Sequence, residues 1–410
     1  MRLTDCFGRA LALGASFVAP LASADGPGFS GITATADSAD TAVSNPAGMS
    51  RIDSPEFASR TVLAAAVGTF DVDERKSTIS GGDPQNDVSP VLVPAFFYVR
   101  PLDDRWRLGF SLTVPTGFGA EYGDDWAGRY YSNDFALVYV SLTPAVSYRI
   151  DDRLSVGLAV NVNYTASSTK VSVNALAPDV PDGRLKTELD GVGTSFSLSA
   201  LWEVDERTRF GLVYTSEAKA DLEGTLKFRN TGPLLTPLLE QKGLLGADIK
   251  VENILPQRVV AGAYHEFQSG SYVTLDALWM DFSKFATGSV SIEGDDLHVD
   301  DGGGFKDFWG ASLGVAFPTH ANRTFSLGAF YVSPPVSDAK RSLAFALDRI
   351  FGAGAGVSFA RSDGRKIDVN LNLIDYGQAP VDTGPAPVRG RVVGRNDNPY
   401  AVAIDFAFQL

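Results

Sequence analysis

Stretches of about ten residues in which apolar and small polar side chains alternate recur along most of the chain. In 153–166, RLSVGLAVNVNYTA, one face carries Leu154, Val156, Leu158, Val160, Val162 and Tyr164, and the other carries Ser155, Gly157, Ala159, Asn161, Asn163 and Thr165. Strand side chains point alternately to opposite faces, so this is the pattern of a strand with one apolar face. KIDVNLNLID (366–375) and FGAGAGVSFA (351–360) repeat it. Apolar-out, polar-in alternation sustained over about ten residues suits a strand that crosses a membrane. The pattern predicts fourteen strands, near 57–72, 91–101, 105–117, 137–150, 153–167, 190–204, 207–221, 254–268, 271–285, 306–318, 321–333, 350–361, 365–377 and 398–410.

The connections set the architecture. Links such as LDD (102–104), DD (151–152), DE (205–206) and SG (269–270) alternate with long ones over 73–90, 118–136, 168–189, 222–253, 286–305, 334–349 and 378–397. Short turns at one end and long loops at the other are the signature of an outer-membrane barrel, with both chain ends on the short-turn, periplasmic side. The expected fold is therefore all-β, a 14-stranded antiparallel transmembrane β-barrel. Its last strand, YAVAIDFAFQL, must pair with the first, because a closed barrel has no edge. It ends in Leu410. Pro144, which has no N–H to donate, marks a local break in its strand.

Composition narrows the picture. Arg2, Arg9, the apolar run ALALGASFVAPLASA and the Ala22-Ser23-Ala24 site form a secretory leader over 1–24. The run is too short to span a bilayer. The single cysteine, Cys6, lies inside it, so disulfides do not hold the exported chain. The net charge of −14 argues against nucleic acid as a partner. Three histidines (His265, His298, His320) have no metal-ligand spacing, and neither a metal, a cofactor nor catalysis is expected.

Residues 25–56 are small, acidic and nearly free of aromatics, and they carry the rigid turn Asn45-Pro46-Ala47-Gly48. Pro46 fixes its own φ and Asn45 can bond the backbone two residues on. From the residues alone this is either a periplasmic turn or a plug filling a lumen that a barrel of this size leaves open.

The chain resembles the FadL-like long-chain fatty-acid transporters of Gram-negative outer membranes. ADSADTAVSNPAGMSRI is similar to that family's N-terminal hatch. PTGFGAEYGDDWAGRYY (115–131) is similar to its segment after the third strand, with Trp126, Gly128, Arg129 and Tyr130. YVSPPVSDAKRSLAFALDRIFGAGAGVSF (331–359) is similar to a C-terminal stretch. The resemblance implies a monomer in outer-membrane lipid, inserted by the barrel-assembly machinery, with a hatch at 25–56 and a barrel at 57–410. It implies passive diffusion of a hydrophobic small molecule that leaves through a kink in the third strand, for which Pro115, Gly117 and Gly119 are the candidates.

Leu234, Leu235, Leu238, Leu239, Leu244 and Leu245 crowd the longest loop, either packing on one another or capturing ligand. Lys170 and Lys284, near the strand ends, are candidate partners for a carboxylate, with solvated rim lysines as the plainer reading. Long-chain fatty acid is the leading cargo. A hydrocarbon channel, a structural or adhesive barrel and an open hydrophilic porin are the alternatives.

Overall fold

The computed structural model describes residues 26–410 apart from 67, 86–89, 178, 286–287, 294, 298–303, 320–321, 345, 363 and 398. The expected leader, His298 and His320 lie outside the described residues.

Fourteen antiparallel strands form a closed barrel: β1 (Glu56–Ala66), β2 (Val91–Pro101), β3 (Trp106–Glu121), β4 (Asp134–Arg149), β5 (Leu154–Val173), β6 (Gly183–Glu203), β7 (Thr208–Thr215 and Ala218–Arg229), β8 (Asp248–Leu255 and Arg258–Glu266), β9 (Tyr272–Met280), β10 (Phe308–Pro318), β11 (Arg323–Val332), β12 (Ile350–Ala360), β13 (Lys366–Asp375) and β14 (Tyr400–Gln409). Closure runs through β1 and β14, in register from Ala58↔Gln409 to Ala66↔Ala401. Leu410 adds one more pair of backbone hydrogen bonds, with Phe57.

The alternation read from sequence sets which face is which. Leu158 and Val160 of β5, Leu371 and Leu373 of β13, and Phe408 of β14 are exposed, whereas Ala159, Asn161 and Asn372 between or beside them are buried. The exposed apolar band is the lipid face. Three short turns are closed in the same way. Asp103 accepts from the N–H groups of Arg105 and Trp106, Asp151 from those of Arg153 and Leu154, and Asp205 from those of Arg207 and Thr208. Opposite Pro144, the β4–β5 ladder skips from Leu142↔Val162 to Ala145↔Ala159 without a change of register, a gap of the kind the proline foretells.

Three expectations change. The first strand is not continuous over 57–72: Thr69–Val72 leaves the barrel and joins a small sheet with Val381–Asp382 and Val393–Asp397. β7 and β8 extend beyond the membrane to Arg229 and from Asp248, so much of the expected loop 222–253 is strand, capped by a helix over Gly232–Gln241. The interior is not uniformly polar. Phe135, Leu137, Tyr139, Met280, Phe282, Phe308 and Phe330 form one buried apolar cluster inside the outer half of the barrel.

Candidate functional site

The interior site is built on residues 26–52. Asn45 is extended and caps a 3₁₀ helix over Pro46–Arg51, its Oδ1 accepting the Ala47 N–H (3.2 Å) while its Nδ2 donates to the Thr33 carbonyl (2.7 Å). Asn45, Ala47 and Met49 are fully buried. The barrel wall supplies partners around the ring. The Asp276 carboxylate of β9 accepts the N–H groups of Gly31 (2.8 Å), Ile32 (3.1 Å) and Thr33 (3.2 Å). Arg209 of β7 donates to the carbonyls of Ala34 and Thr35, with its guanidinium 3.6 Å from the Tyr264 ring centre. Arg107 of β3 donates to the Ile52 carbonyl (2.8 Å), and Asn372 of β13 accepts the Gly28 N–H (2.7 Å). Glycines let the segment lie directly on the sheet: a Cβ on Gly328 would fall 1.8 Å from the Pro27 carbonyl oxygen, and Gly28 opposite it has φ +63°. Asp276 and Arg209 were not among the sequence candidates. Each is a charged residue at an inward position of an alternating strand, and that is the signal that identifies them.

Beyond this segment lies a pocket with about 750 Å³ of empty space, open solvent included. Val43 of the N-terminal segment floors it. Tyr139, Leu255, Met280, Phe282 and Phe285 form an apolar side, and Ser141, Asn161, Asn163 and Ser195 a polar one. Phe282 and Phe285 stack at 4.8 Å. Arg258 of β8 also lines it, and among the described residues no hydrogen bond or ion pair reaches its guanidinium. The sequence reading missed Arg258 because it took 254–268 as one unbroken strand. Pro256, two residues earlier, is the signal that the strand is interrupted there.

The pocket also meets the wall of β3, through Thr113, Pro115 and Thr116. The β3–β4 register shifts between Thr113 and Thr116, and β2–β3 pairing ends at Phe96↔Leu112. Pro115 therefore stands at the irregularity. Gly117 and Gly119 do not: they pair regularly with Val138 and Ala136. Val91, Val138 and Val114 cluster over the unpaired stretch.

The Trp-x-Gly-Arg-Tyr residues are not in the lumen. Trp126 is buried among the loops, its Nε1–H donating to the Ser132 carbonyl (2.8 Å) and its ring meeting Phe70 and Tyr122. A Cβ on Gly128 would strike the Trp126 ring. Arg129 is committed to Asp182 (2.8 Å) and the Ser80 carbonyl (2.7 Å), and the Tyr130 hydroxyl donates to Asp182 (2.7 Å). These residues tie three loops together.

Lys170 is held by Asp124 and Asp134, both at 3.0 Å, and is not in the pocket. Burial alone would raise the Asp124 carboxyl, but Lys170 and Arg184 outweigh it and hold it below the ordinary carboxylate value. Lys284 is exposed on the turn between Phe282 and Phe285, which do line the pocket. Of the loop leucines, Leu239 is buried, Leu235 and Leu244 are half-buried, and Leu234, Leu238 and Leu245 are exposed at the outer rim.

Known proteins agree with this architecture. The long-chain fatty acid transport protein of Escherichia coli O6:H1 is 25% identical over 386 residues, covering 86% of this chain and 84% of its own. That of Salmonella typhi is 24% identical, covering 88% and 87%. Among solved structures, a Pseudomonas aeruginosa FadL homologue superposes with a TM-score of 0.81 at 18% identity, over 98% of this chain and 99% of that one. The Pseudomonas putida toluene transporter TodX gives 0.67 at 17%, over 95% and 98%. A family model described as outer membrane protein transport protein (OMPP1/FadL/TodX) matches residues 7–398, and the chain, a Gram-negative outer-membrane β-barrel, belongs to that family.

Proposed function

We propose that the protein passes hydrophobic compounds across the outer membrane by diffusion, and that its cargo is a long-chain fatty acid. The observation that carries the choice of cargo is Arg258: a guanidinium with no hydrogen-bond or ion-pair partner among the described residues, at the edge of an otherwise apolar and neutral pocket. A toluene-like hydrocarbon offers such a cation only the face of its ring, a weaker contact, whereas a carboxylate would be a charge-assisted, bidentate partner. The acyl chain would lie among Tyr139, Met280, Phe282 and Phe285, and the head group towards Arg258 and the polar side. Residues 26–52 act as the hatch that keeps the lumen closed to ions. The exposed leucines at the helix Gly232–Gln241 offer a first apolar contact, and the unpaired wall beside Val114 and Pro115 offers the lateral exit. Trp126, Gly128, Arg129 and Tyr130 hold the loops above this route in place.

The test compares oleate with oleyl alcohol binding to purified protein, wild type and Arg258→Met. A charged hydrogen bond contributes about 1.5–3 kcal/mol, so oleate should lose roughly 10- to 150-fold while the alcohol is unaffected. Equal losses, or none, contradict the fatty-acid reading. Tight binding of an aromatic hydrocarbon by both forms would favour the hydrocarbon channel.

A further inference from the structure

The wall of the pocket is interrupted a second time, four strands from the β3 irregularity. On the barrel side of this break Thr215 pairs with Arg258, and on the outer side Ala218 pairs with Leu255. Ser216, Glu217, Pro256 and Gln257 make no cross-strand pair between β7 and β8. Pro256 has no N–H to offer one. The β6–β7 register slips by one residue at the same level, between Ser197↔Thr215 and Thr194↔Lys219, with the Ser216 N–H still donating to the Phe196 carbonyl (2.9 Å). Ser216, Leu255 and Pro256 all line the lumen pocket, so the break is its side wall.

The height of the break follows from its surface. Just below it the outer face is apolar, with Leu198, Phe210 and Leu212 exposed. Just above it the outer face is ionic: Lys219 pairs with Glu252 (3.7 Å) and Lys250 with Asp221 (2.7 Å). The inner face inverts too, becoming apolar at Ala218, Ala220 and Leu222. The break therefore sits where the lipid-facing band ends. What spans it is side chain. The Tyr214 hydroxyl donates to Gln257 Oε1 (3.0 Å), and Gln257 Nε2 donates to Asp281 Oδ2 (2.9 Å). The Phe196 ring abuts Tyr214 at 6.1 Å.

We propose that the β7–β8 break is a second lateral passage, through which a single-chain amphiphile moves between the lumen pocket and the outer boundary of the membrane, with Gln257 as its latch. A passage closed by a few side-chain bonds opens without unzipping the ladder, and one at the interface lets a polar head stay near water while the acyl chain slides into the pocket. The proposal rests on the reading of that pocket as an amphiphile site.

The test uses the protein in lipid nanodiscs and cis-parinaric acid, whose fluorescence reports its transfer from lipid to protein. Gln257→Ala should speed transfer severalfold. A Glu217→Cys, Gln257→Cys pair, bridged by a short cleavable bis-maleimide, should slow it severalfold until the linker is cut. Equilibrium binding should stay at the wild-type level in both. Normal binding with transfer rates equal to wild type in both variants overturns the passage and leaves the pocket reading standing. No parinaric acid binding to the wild type overturns both. If the cysteine pair fails to show heat-modifiable migration, Gln257→Ala decides alone.

Discussion

Replacing Asp276 by alanine should release the N-terminal segment without opening the barrel. Its carboxylate is the sole side-chain acceptor found for the consecutive N–H groups of Gly31, Ile32 and Thr33 among the described residues, and it also receives the hydroxyls of Thr33 (3.2 Å) and Ser312 (3.3 Å). Each buried donor left without a partner costs about 1–3 kcal/mol. Three such donors would cost about 3–9 kcal/mol by that rule, and water entering the vacated space offsets part of it. Taking the lower end, about 3 kcal/mol, the closed-to-open ratio of the segment falls by roughly two powers of ten. The barrel ladder is spared, because position 276 pairs with Gly262 and Ser312 through its backbone. Hydrogen exchange measured by mass spectrometry should show faster labelling of 26–40 in Asp276→Ala, with the strands protected as before. Planar-bilayer recordings should show added ion conductance. Unchanged exchange over 26–40 would refute the idea that this carboxylate fastens the segment; changed exchange with unchanged conductance would refute its role as a hatch.

Other consequences are simpler to check. Unheated protein in detergent gels should run faster than boiled protein, because β1 and β14 close the ladder; identical migration would contradict closure. Gly328→Ala should push the start of the segment off the wall, since its Cβ would lie 1.8 Å from the Pro27 carbonyl oxygen; unchanged exchange at 26–30 would show that the wall yields instead. In the loop between β13 and β14, the Arg391 guanidinium, helped by the Gly384 N–H, holds the Asp382 carboxyl down at about 2. A depressed carboxyl stabilises above its ordinary 3.8 and loses that contribution as the pH falls through its folded value. Exchange in 378–397, corrected for intrinsic rate, should therefore rise between about pH 4 and pH 2, and Arg391→Gln should abolish that step. The effect is small, because both side chains are about half exposed.

The barrel was legible because its two faces meet opposite solvents. Wherever one face touches lipid, the period of two is strict, and β2 lies over the 91–101 stretch read from the pattern while β12 ends one residue short of its expected 350–361. Legibility failed where that contrast changes. Above the break in β7 the outer face turns ionic and the inner face apolar, so 222–229 reads as loop although it is strand. The N-terminal segment has no period, since its small residues are fixed by partners far away in sequence: Asp276, Arg209 and Asn372. The lysines suggested for a head group were judged by proximity to strand ends, which says nothing about neighbours. Lys170 proves to be held by two aspartates, while Arg258, hidden behind Pro256, stands in the pocket. The Trp126–Tyr130 string stands out in the sequence, but its partners, Ser132, Ser80 and Asp182, bind the loops to one another.

The pocket between Val43, Tyr139, Met280 and Phe285 is proposed to hold an acyl chain whose carboxylate meets Arg258. A crystal structure of the protein soaked with ω-bromopalmitate, with anomalous data collected at the bromine edge, tests it most directly. A bromine peak is expected inside the apolar side of that pocket, with carboxylate density within hydrogen-bonding distance of the Arg258 guanidinium. Bromine found only at the outer leucines, or a chain lying in the pocket with its carboxylate turned away from Arg258, would contradict it.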